Sequence, residues 1–212
     1  MDEPICGITD LFPQPLVKMD IDHHVAVSVF KNIVKRKAGF QDIIRTYGLT
    51  NYYNAKNVFE LFSELQPVHD EIVNKANYIY QEIYNVDNEL RVTNAWYNEC
   101  ELGSAQIFHN HCNSVLSGTL YLKTDSNTCI QFRSPYSALP AMHNQIRDKV
   151  SKKPNRKGHG YHQNYHTVFI RDGHCLFWPS FMMHGYPDNQ TPNRLSLSFN
   201  MMPKQVNGIY KI

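Results

Sequence analysis

The order of apolar and polar residues divides the chain into a helical part and a β-rich part. Apolar side chains recur at roughly helical spacing in three segments, which predicts helices over about 23–47, 58–65 and 72–83. From about residue 90 onward, short runs rich in β-branched and aromatic residues alternate with turn residues. These runs predict strands at 91–97, 104–109, 116–123, 128–132, 165–170, 175–178 and 194–201. Short strands that follow a helical segment favour a closed or two-sheet β structure backed by helices.

The length of the chain, 212 residues of which 42 % are apolar, suits one domain with a sizeable core. We expect a single domain over residues 1–212, in which 20–87 form a mostly helical covering layer and 88–203 form the β core. Residues 137–163 are rich in Lys, Pro, Gly and His, and a loop of this length is typical of a functional segment such as a lid. Its basic stretch, 147–157, is interpreted as a solvated surface rather than a docking site, although it hints at an anionic target.

Charge and cysteine usage narrow the class of protein. A formal net charge of +2 is too small to make nucleic acid or a membrane the expected main partner. The five cysteines are odd in number and lack C-x-x-C spacing, which argues against a disulfide framework and against a structural zinc site. The sequence also shows neither a secretion signal nor an apolar run long enough to span a bilayer. We therefore expect a soluble protein of the reducing cytoplasm.

Three histidines stand apart from the others because of their strand contexts. His109 and His111 form an H-x-H pair at the end of a predicted strand, where side chains two apart point to the same face. Such a pair offers two imidazoles to one metal ion, although two unrelated polar residues would give the same pattern. His184, which follows a β-type run and precedes a turn, supplies a third candidate ligand.

The last predicted strand alternates strictly between apolar and polar residues. One face carries Arg194, Ser196 and Ser198, and the other carries Leu195, Leu197 and Phe199. The apolar face is expected to pack under the helices. An arginine that faces into a barrel needs a partner to offset its desolvation, and a ligand carboxylate suits its two-pronged geometry. The alternative is an edge strand whose polar face lies in water.

These features occur together with several others in one order along the chain. Trp96 precedes the H-x-H pair, an S-G-x-x-Y run at 117–121 follows it, a Phe-x-Pro run lies at 177–179, and Arg194 comes ten positions after His184. The pattern resembles the 2OG-Fe(II) oxygenase family of bacteria and large-genome phages. The resemblance implies a double-stranded β-helix (jelly roll, cupin-like) core backed by N-terminal α-helices, in a bacterial cell or a phage-infected host.

The resemblance also implies a function and a set of site residues. It implies an iron(II)- and 2-oxoglutarate-dependent dioxygenase that uses O2 to hydroxylate an unidentified substrate and releases succinate and CO2. The metal ligands would be His109, His111 and His184. Arg194 and Ser196 would bind the distal carboxylate of the small-molecule cosubstrate 2-oxoglutarate, and Tyr121 would assist.

His111 departs from the wider superfamily, which usually has Asp or Glu at this position. Three imidazoles suit iron(II), but they also suit zinc, cobalt or nickel. Alternatively, His111 supports the site from behind while a carboxylate comes from elsewhere, and Asp172 and Glu101 are the nearest in sequence. Two other functions stay open: a cupin-like three-His dioxygenase in which Arg194 binds the substrate directly, and a non-catalytic β-barrel binding protein.

Overall fold

The chain folds into two antiparallel sheets with helices against the larger one. The structure is a computed structural model, and it describes residues 13–35, 41–43, 48–50, 52, 57–134 and 165–205. In these residues the helices are α1 (His23–Lys35), α2 (Val58–Leu61) and α3 (Gln66–Glu82), with a 3-10 turn at Ser63–Leu65. The strands are β1 (Val17–Asp20), β2 (Gln41–Ile43), β3 (Gly48–Thr50), β4 (Leu90–Cys100), β5 (Gln106–His109), β6 (Leu116–Lys123), β7 (Cys129–Arg133), β8 (Tyr165–Phe169), β9 (His174–Pro179), β10 (His184–Tyr186) and β11 (Arg194–Pro203).

The sheets face each other as the two halves of a jelly roll. The major sheet has the strand order β1-β9-β6-β11-β4-β3-β2, and the minor sheet has the order β5-β10-β7-β8. Neighbouring strands are antiparallel throughout both sheets. This arrangement confirms the predicted mainly β fold with N-terminal helices. It also places β11 between β6 and β4 in the interior of the major sheet, so β11 is not an edge strand.

The helices cover the outer face of the major sheet. The predicted apolar face of β11 lies there: Leu197 and Phe199 are fully buried in a cluster that includes Ile72 and Ile79 of α3. Burial of large aliphatic side chains at this interface gives about 1.5–3 kcal/mol each, so the cluster is a main source of stability. The predicted packing of β11 under the helices is therefore confirmed. None of the helices in the described part of the chain combines the length and apolarity that a membrane span requires.

A second apolar cluster fills the space between the sheets. It contains Tyr121, Phe132 and Trp178, of which each is at most 2 % exposed. Because side chains alternate along a strand, β6 and β9 contribute to both clusters, one on each face. The inner cluster lies next to a cavity between the sheets, and the polar side chains of β11 line the same cavity.

Two local predictions were wrong. The helix expected over 23–47 spans only His23–Lys35. Gln41–Ile43 and Gly48–Thr50 pair with each other as strands, and Gly48–Thr50 also pairs with β4. Short apolar runs do not distinguish a helix from a strand. Here the pairing of Gly48–Thr50 with the free edge of β4 selects the strand conformation. The segment 58–65 is not one helix either, since α2 ends after one turn. Pro67 lies in the first turn of α3, where proline is favoured.

Two strands were not predicted at all. Val17–Asp20 forms β1 and pairs with β9, and His184–Tyr186 forms β10 between β5 and β7. Both segments are too short to show a period. The expected loop at 137–163, with its basic stretch 147–157, lies outside the described residues.

Candidate metal and carboxylate site

The fold brings together the three histidines that the sequence singled out. His109 ends β5 and is the ladder partner of His184 on β10, and His111 follows two residues after His109. One ring nitrogen from each residue lies within 4.8 Å of the others. The ring centroid of His184 lies 4.4 Å from that of His109 and 5.0 Å from that of His111. We call these residues the three-histidine cluster.

Backbone carbonyls orient two of the rings. The Nδ1 atom of His109 lies 2.9 Å from the carbonyl oxygen of Ile107, and Nδ1 of His184 lies 2.9 Å from that of Met182. A carbonyl oxygen only accepts, so each Nδ1 carries the proton and donates it. The lone pair of Nε2 is then free in both residues. This is the usual arrangement of metal-binding histidines, whose second nitrogen donates to a carbonyl or carboxylate.

Side chains orient the third ring. Nδ1 of His111 lies 2.6 Å from Oδ1 of Asn200 and 2.9 Å from Oγ of Ser117. The Ser117 hydroxyl in turn donates to the same Asn200 oxygen over 2.8 Å and lies 2.7 Å from the Ser180 hydroxyl. Asn200 therefore accepts the proton of His111 Nδ1, which leaves Nε2 of this ring free as well. Asn200 is not among the predicted site residues, although it continues the alternating polar face of β11.

Two histidines of the cluster are held in the uncharged form, which can bind a cation. Burial, together with the neighbouring His109 ring, lowers the pKa of His184 to about 3 and that of His111 to about 4. Both imidazoles are therefore neutral near pH 7, which is the form that binds metals. The edges of two aromatic rings shield them: Trp96 lies 5.5 Å from His111 and Trp178 lies 4.8 Å from His184, between ring centroids.

No carboxylate joins the cluster within the part of the chain that the structure describes. Asp172 instead accepts hydrogen bonds from the backbone N–H and the hydroxyl of Thr124, and Glu101 is exposed. Neither of the two acidic residues nearest in sequence supplies a ligand. The donor set is three imidazoles, which fits iron(II) and other divalent first-row metals.

Arg194 faces the same cavity from β11. Its side chain is 4 % exposed, and among the described residues no carboxylate forms an ion pair with it. Its guanidinium carbon lies 4.2 Å from the ring centroid of Tyr186 and 5.3 Å from that of Tyr121. The Tyr121 hydroxyl is buried close to the Arg194 guanidinium and forms no hydrogen bond of good geometry with any described residue.

Hydroxyl groups line the wall beside this arginine. Ser196 and Ser198 continue the polar face of β11, and the Ser198 hydroxyl lies 3.0 Å from that of Thr119 on β6. A buried cation without an anion and a buried hydroxyl without a partner both carry a desolvation cost. A bound carboxylate would satisfy both groups with charge-assisted hydrogen bonds. The cavity therefore combines a metal-binding end with a carboxylate-binding end, and all six residues named from the sequence line it.

A sequence profile of one protein family matches the chain over residues 94–200, just over half of its length. The family is described as "Putative 2OG-Fe(II) oxygenase". The matched segment contains the three-histidine cluster, Tyr121, Arg194 and Ser196. No curated protein matches the sequence.

Several solved structures share the fold at low sequence identity. HygX from Streptomyces hygroscopicus, with nickel and 2-oxoglutarate bound, is 12 % identical with a TM-score of 0.62, over 90 % of this chain and 84 % of that one. The epimerase SnoN from nogalamycin biosynthesis is 16 % identical with a TM-score of 0.63, over 89 % and 76 %. A prolyl-4-hydroxylase from Pseudomonas putida is 10 % identical with a TM-score of 0.54, over 88 % and 92 %.

Proposed function

Since the chain belongs to the 2OG-Fe(II) oxygenase family, we propose that its three-histidine cluster binds iron(II) and that Arg194 binds 2-oxoglutarate. The family makes the protein an iron(II)- and 2-oxoglutarate-dependent oxygenase. What the proposal adds is the assignment of roles to residues of this chain. The single observation that carries it is one cavity lined by three free imidazole nitrogens and by a buried, unpaired guanidinium.

His111 is proposed as a direct ligand in place of the usual carboxylate. Three features support this assignment: its Nε2 is free, its ring is neutral, and no described acidic residue reaches the cluster. Three neutral ligands leave the full +2 charge of iron(II) uncompensated by the protein. The anionic oxygens of 2-oxoglutarate would compensate part of it.

The cosubstrate is proposed to lie between the two ends of the cavity. Its distal carboxylate would accept hydrogen bonds from the guanidinium of Arg194 and from the hydroxyls of Ser196 and Tyr121. HygX binds nickel and 2-oxoglutarate in its crystal structure, and SnoN binds Fe3+ and alpha-ketoglutarate in one of its complexes. These structures support the proposal through a shared fold.

The histidines alone would fit a cupin-like dioxygenase that does not use 2-oxoglutarate equally well. Family membership favours the 2-oxoglutarate-dependent reaction over that alternative and over a non-catalytic barrel. Hydroxylation is the outcome we propose for the unidentified substrate.

We also propose a reducing compartment such as the cytoplasm, because the four described cysteines, Cys100, Cys112, Cys129 and Cys175, are all free thiols.

The residues of the chain would contribute binding, orientation and exclusion of water. Bound iron(II) and 2-oxoglutarate supply the activation of O2, with release of succinate and CO2. Ile107, Met182 and Asn200 hold the three imidazoles through Nδ1, so each Nε2 keeps its direction during turnover. Phe132 and Trp178 pack against His184 and keep that side of the cavity dry.

The proposal is tested with protein loaded with iron(II) under nitrogen. Titration with 2-oxoglutarate should produce a weak visible charge-transfer band, and exposure to O2 should produce succinate. Arg194→Ala removes charge-assisted hydrogen bonds of about 1.5–3 kcal/mol in total, so we expect 2-oxoglutarate to bind roughly 10- to 150-fold more weakly. Arg194→Lys keeps the charge but lacks the two-pronged geometry, and we expect intermediate binding.

Arg171→Ala is the matched control, because the Arg171 side chain is 73 % exposed and lies outside the cavity. It should leave 2-oxoglutarate binding and succinate formation unchanged. Unchanged binding and succinate formation in Arg194→Ala would show that Arg194 does not hold the cosubstrate. Absence of the charge-transfer band in the iron-loaded wild type would overturn the proposed site as a whole.

A further inference from the structure

A second cavity, the mouth cleft, opens from the three-histidine cluster towards the surface. His109, His111 and Trp96 line both cavities, so the mouth cleft adjoins the three-histidine cluster. The outer wall includes exposed residues such as Ile107, which is 79 % exposed. The mouth cleft is therefore the place where a substrate would lie next to a bound metal.

The mouth cleft is lined by uncharged polar groups. Its described lining contains no Asp, Glu, Lys or Arg. Six of its side chains are primary amides: Asn94, Asn98, Gln106, Asn110, Asn113 and Asn200. The hydroxyls of Thr50, Tyr52 and Thr93 add to them. A charged ligand would lose its hydration here without gaining an opposite charge from these residues.

Three of these amides are not satisfied by the protein. The side chains of Asn94, Gln106 and Asn113 form no hydrogen bond with any other residue in the described part of the chain. Asn94 and Gln106 are half-buried, so their amide groups are held in place by the cleft wall but stay accessible to a ligand. Each amide offers both donors and an acceptor to a ligand.

The amides flank the exposed ring of Tyr52, whose side chain is 48 % exposed, while Trp96 beneath it is buried. Alternation along β4 puts Asn94, Trp96 and Asn98 on one face, with neighbouring members roughly 7 Å apart along the strand. The Tyr52 ring meets Trp96 edge to face, with 5.1 Å between centroids. Ile107 is the only aliphatic side chain in the described lining, so the mouth cleft offers little to the apolar side chains of a peptide.

Building on the proposed function, we propose that the mouth cleft binds an uncharged, polyhydroxylated substrate of the carbohydrate class. Each sugar hydroxyl both donates and accepts hydrogen bonds, and so do the three amide side chains that form no hydrogen bond within the described protein. The C–H face of a sugar ring suits the exposed aromatic ring of Tyr52. A sugar ring bound in this way would present C–H bonds towards the three-histidine cluster, where the proposed oxidation takes place.

The test is a binding experiment that does not depend on turnover. Labelled full-length protein, loaded with nickel(II) and 2-oxoglutarate, is applied to an array that carries neutral, sialylated and aminated glycans beside neutral peptides. We expect the neutral glycans to give the strongest binding. For the best of them, Asn94→Ala and Gln106→Ala should each raise the dissociation constant by about fivefold to tenfold, the loss of one hydrogen bond. Asn74→Ala, an exposed amide on α3, is the matched control and should change nothing.

Each outcome decides for or against the carbohydrate class. Binding to no neutral glycan, or preferential binding to peptides or to charged glycans, overturns it. Binding to a neutral glycan that both variants leave unchanged also overturns it, because the mouth cleft would then not be the binding surface. The same preparation, reloaded with iron(II), is assayed for 2-oxoglutarate-dependent succinate. Succinate formation without glycan binding would refute this inference and leave the proposed function intact.

Discussion

Asn200 gives the sharpest test of the unusual ligand set, because it is the residue that orients His111. Its Oδ1 accepts from Nδ1 of His111 over 2.6 Å and from the Ser117 hydroxyl over 2.8 Å. Asn200→Leu keeps a similar volume but removes this acceptor. Asn200→Asp keeps the acceptor and adds a negative charge behind the imidazole. Asn200→Leu should therefore weaken metal binding, and Asn200→Asp should not.

The size of the effect follows from the contacts. Without Asn200, Nδ1 of His111 retains only the Ser117 hydroxyl, 2.9 Å away, which can rotate. Loss of a hydrogen bond of this kind behind a ligand lowers metal affinity about 10- to 100-fold, which corresponds to about 1.4–2.7 kcal/mol. In Asn200→Asp the carboxylate makes the imidazole a better donor to the metal, so we expect affinity equal to or above that of the wild type.

The protein carries its own reporter for this measurement. Its two tryptophans are Trp96, beside His111, and Trp178, beside His184. Nickel(II) is titrated against a competing chelator while tryptophan fluorescence is followed, and the melting temperature of each metal-free variant is recorded. Asn74→Leu serves as the control on an exposed helix face. Affinity within about twofold of the wild type in Asn200→Leu would refute the reasoning. Weaker nickel binding by Asn200→Asp than by the wild type would refute it as well.

Two further predictions concern stability and are checked by urea unfolding. A Cβ atom at Gly118 would overlap the ring of Phe199 and lie 2.5 Å from a backbone oxygen of β9, so Gly118→Ala should lower the free energy of unfolding by about 3 kcal/mol; a loss below about 1 kcal/mol would contradict this. Leu197→Ala should cost about 2–5 kcal/mol, since Leu197 is fully buried between β11 and the helices. Leu102→Ala, at a side chain that is 62 % exposed, should stay within about 0.5 kcal/mol, and equal losses at both leucines would refute the assignment of the core.

Strand periodicity explains why much of the site was visible in the sequence. The H-x-H pair at His109 and His111 needs only two residues on one face of a strand end, which is a local property. The alternation that begins at Arg194 likewise fixed which side chains face the cavity and which face the helices. Continuing it by one step would have drawn attention to Asn200.

Other features depended on contacts between distant segments. Residues 41–43 and 48–50 form strands because they pair with each other and, for 48–50, with β4, and the local hydrophobic period does not show these partners. The strand that carries His184 has three residues, too few for any pattern, and it exists only because β5 and β7 flank it.

The sequence by itself determined the polar and apolar faces of the strands, the three candidate imidazoles and the inward arginine, because these depend on spacing along the backbone. Only the tertiary structure decided that no described carboxylate completes the cluster, that Arg194 has no protein anion among the described residues, and that unsatisfied amides line the mouth cleft. The physical reason is that ligand sets, burial and hydrogen-bond partners depend on distances between residues far apart in the chain. Those distances are fixed when the sheets close.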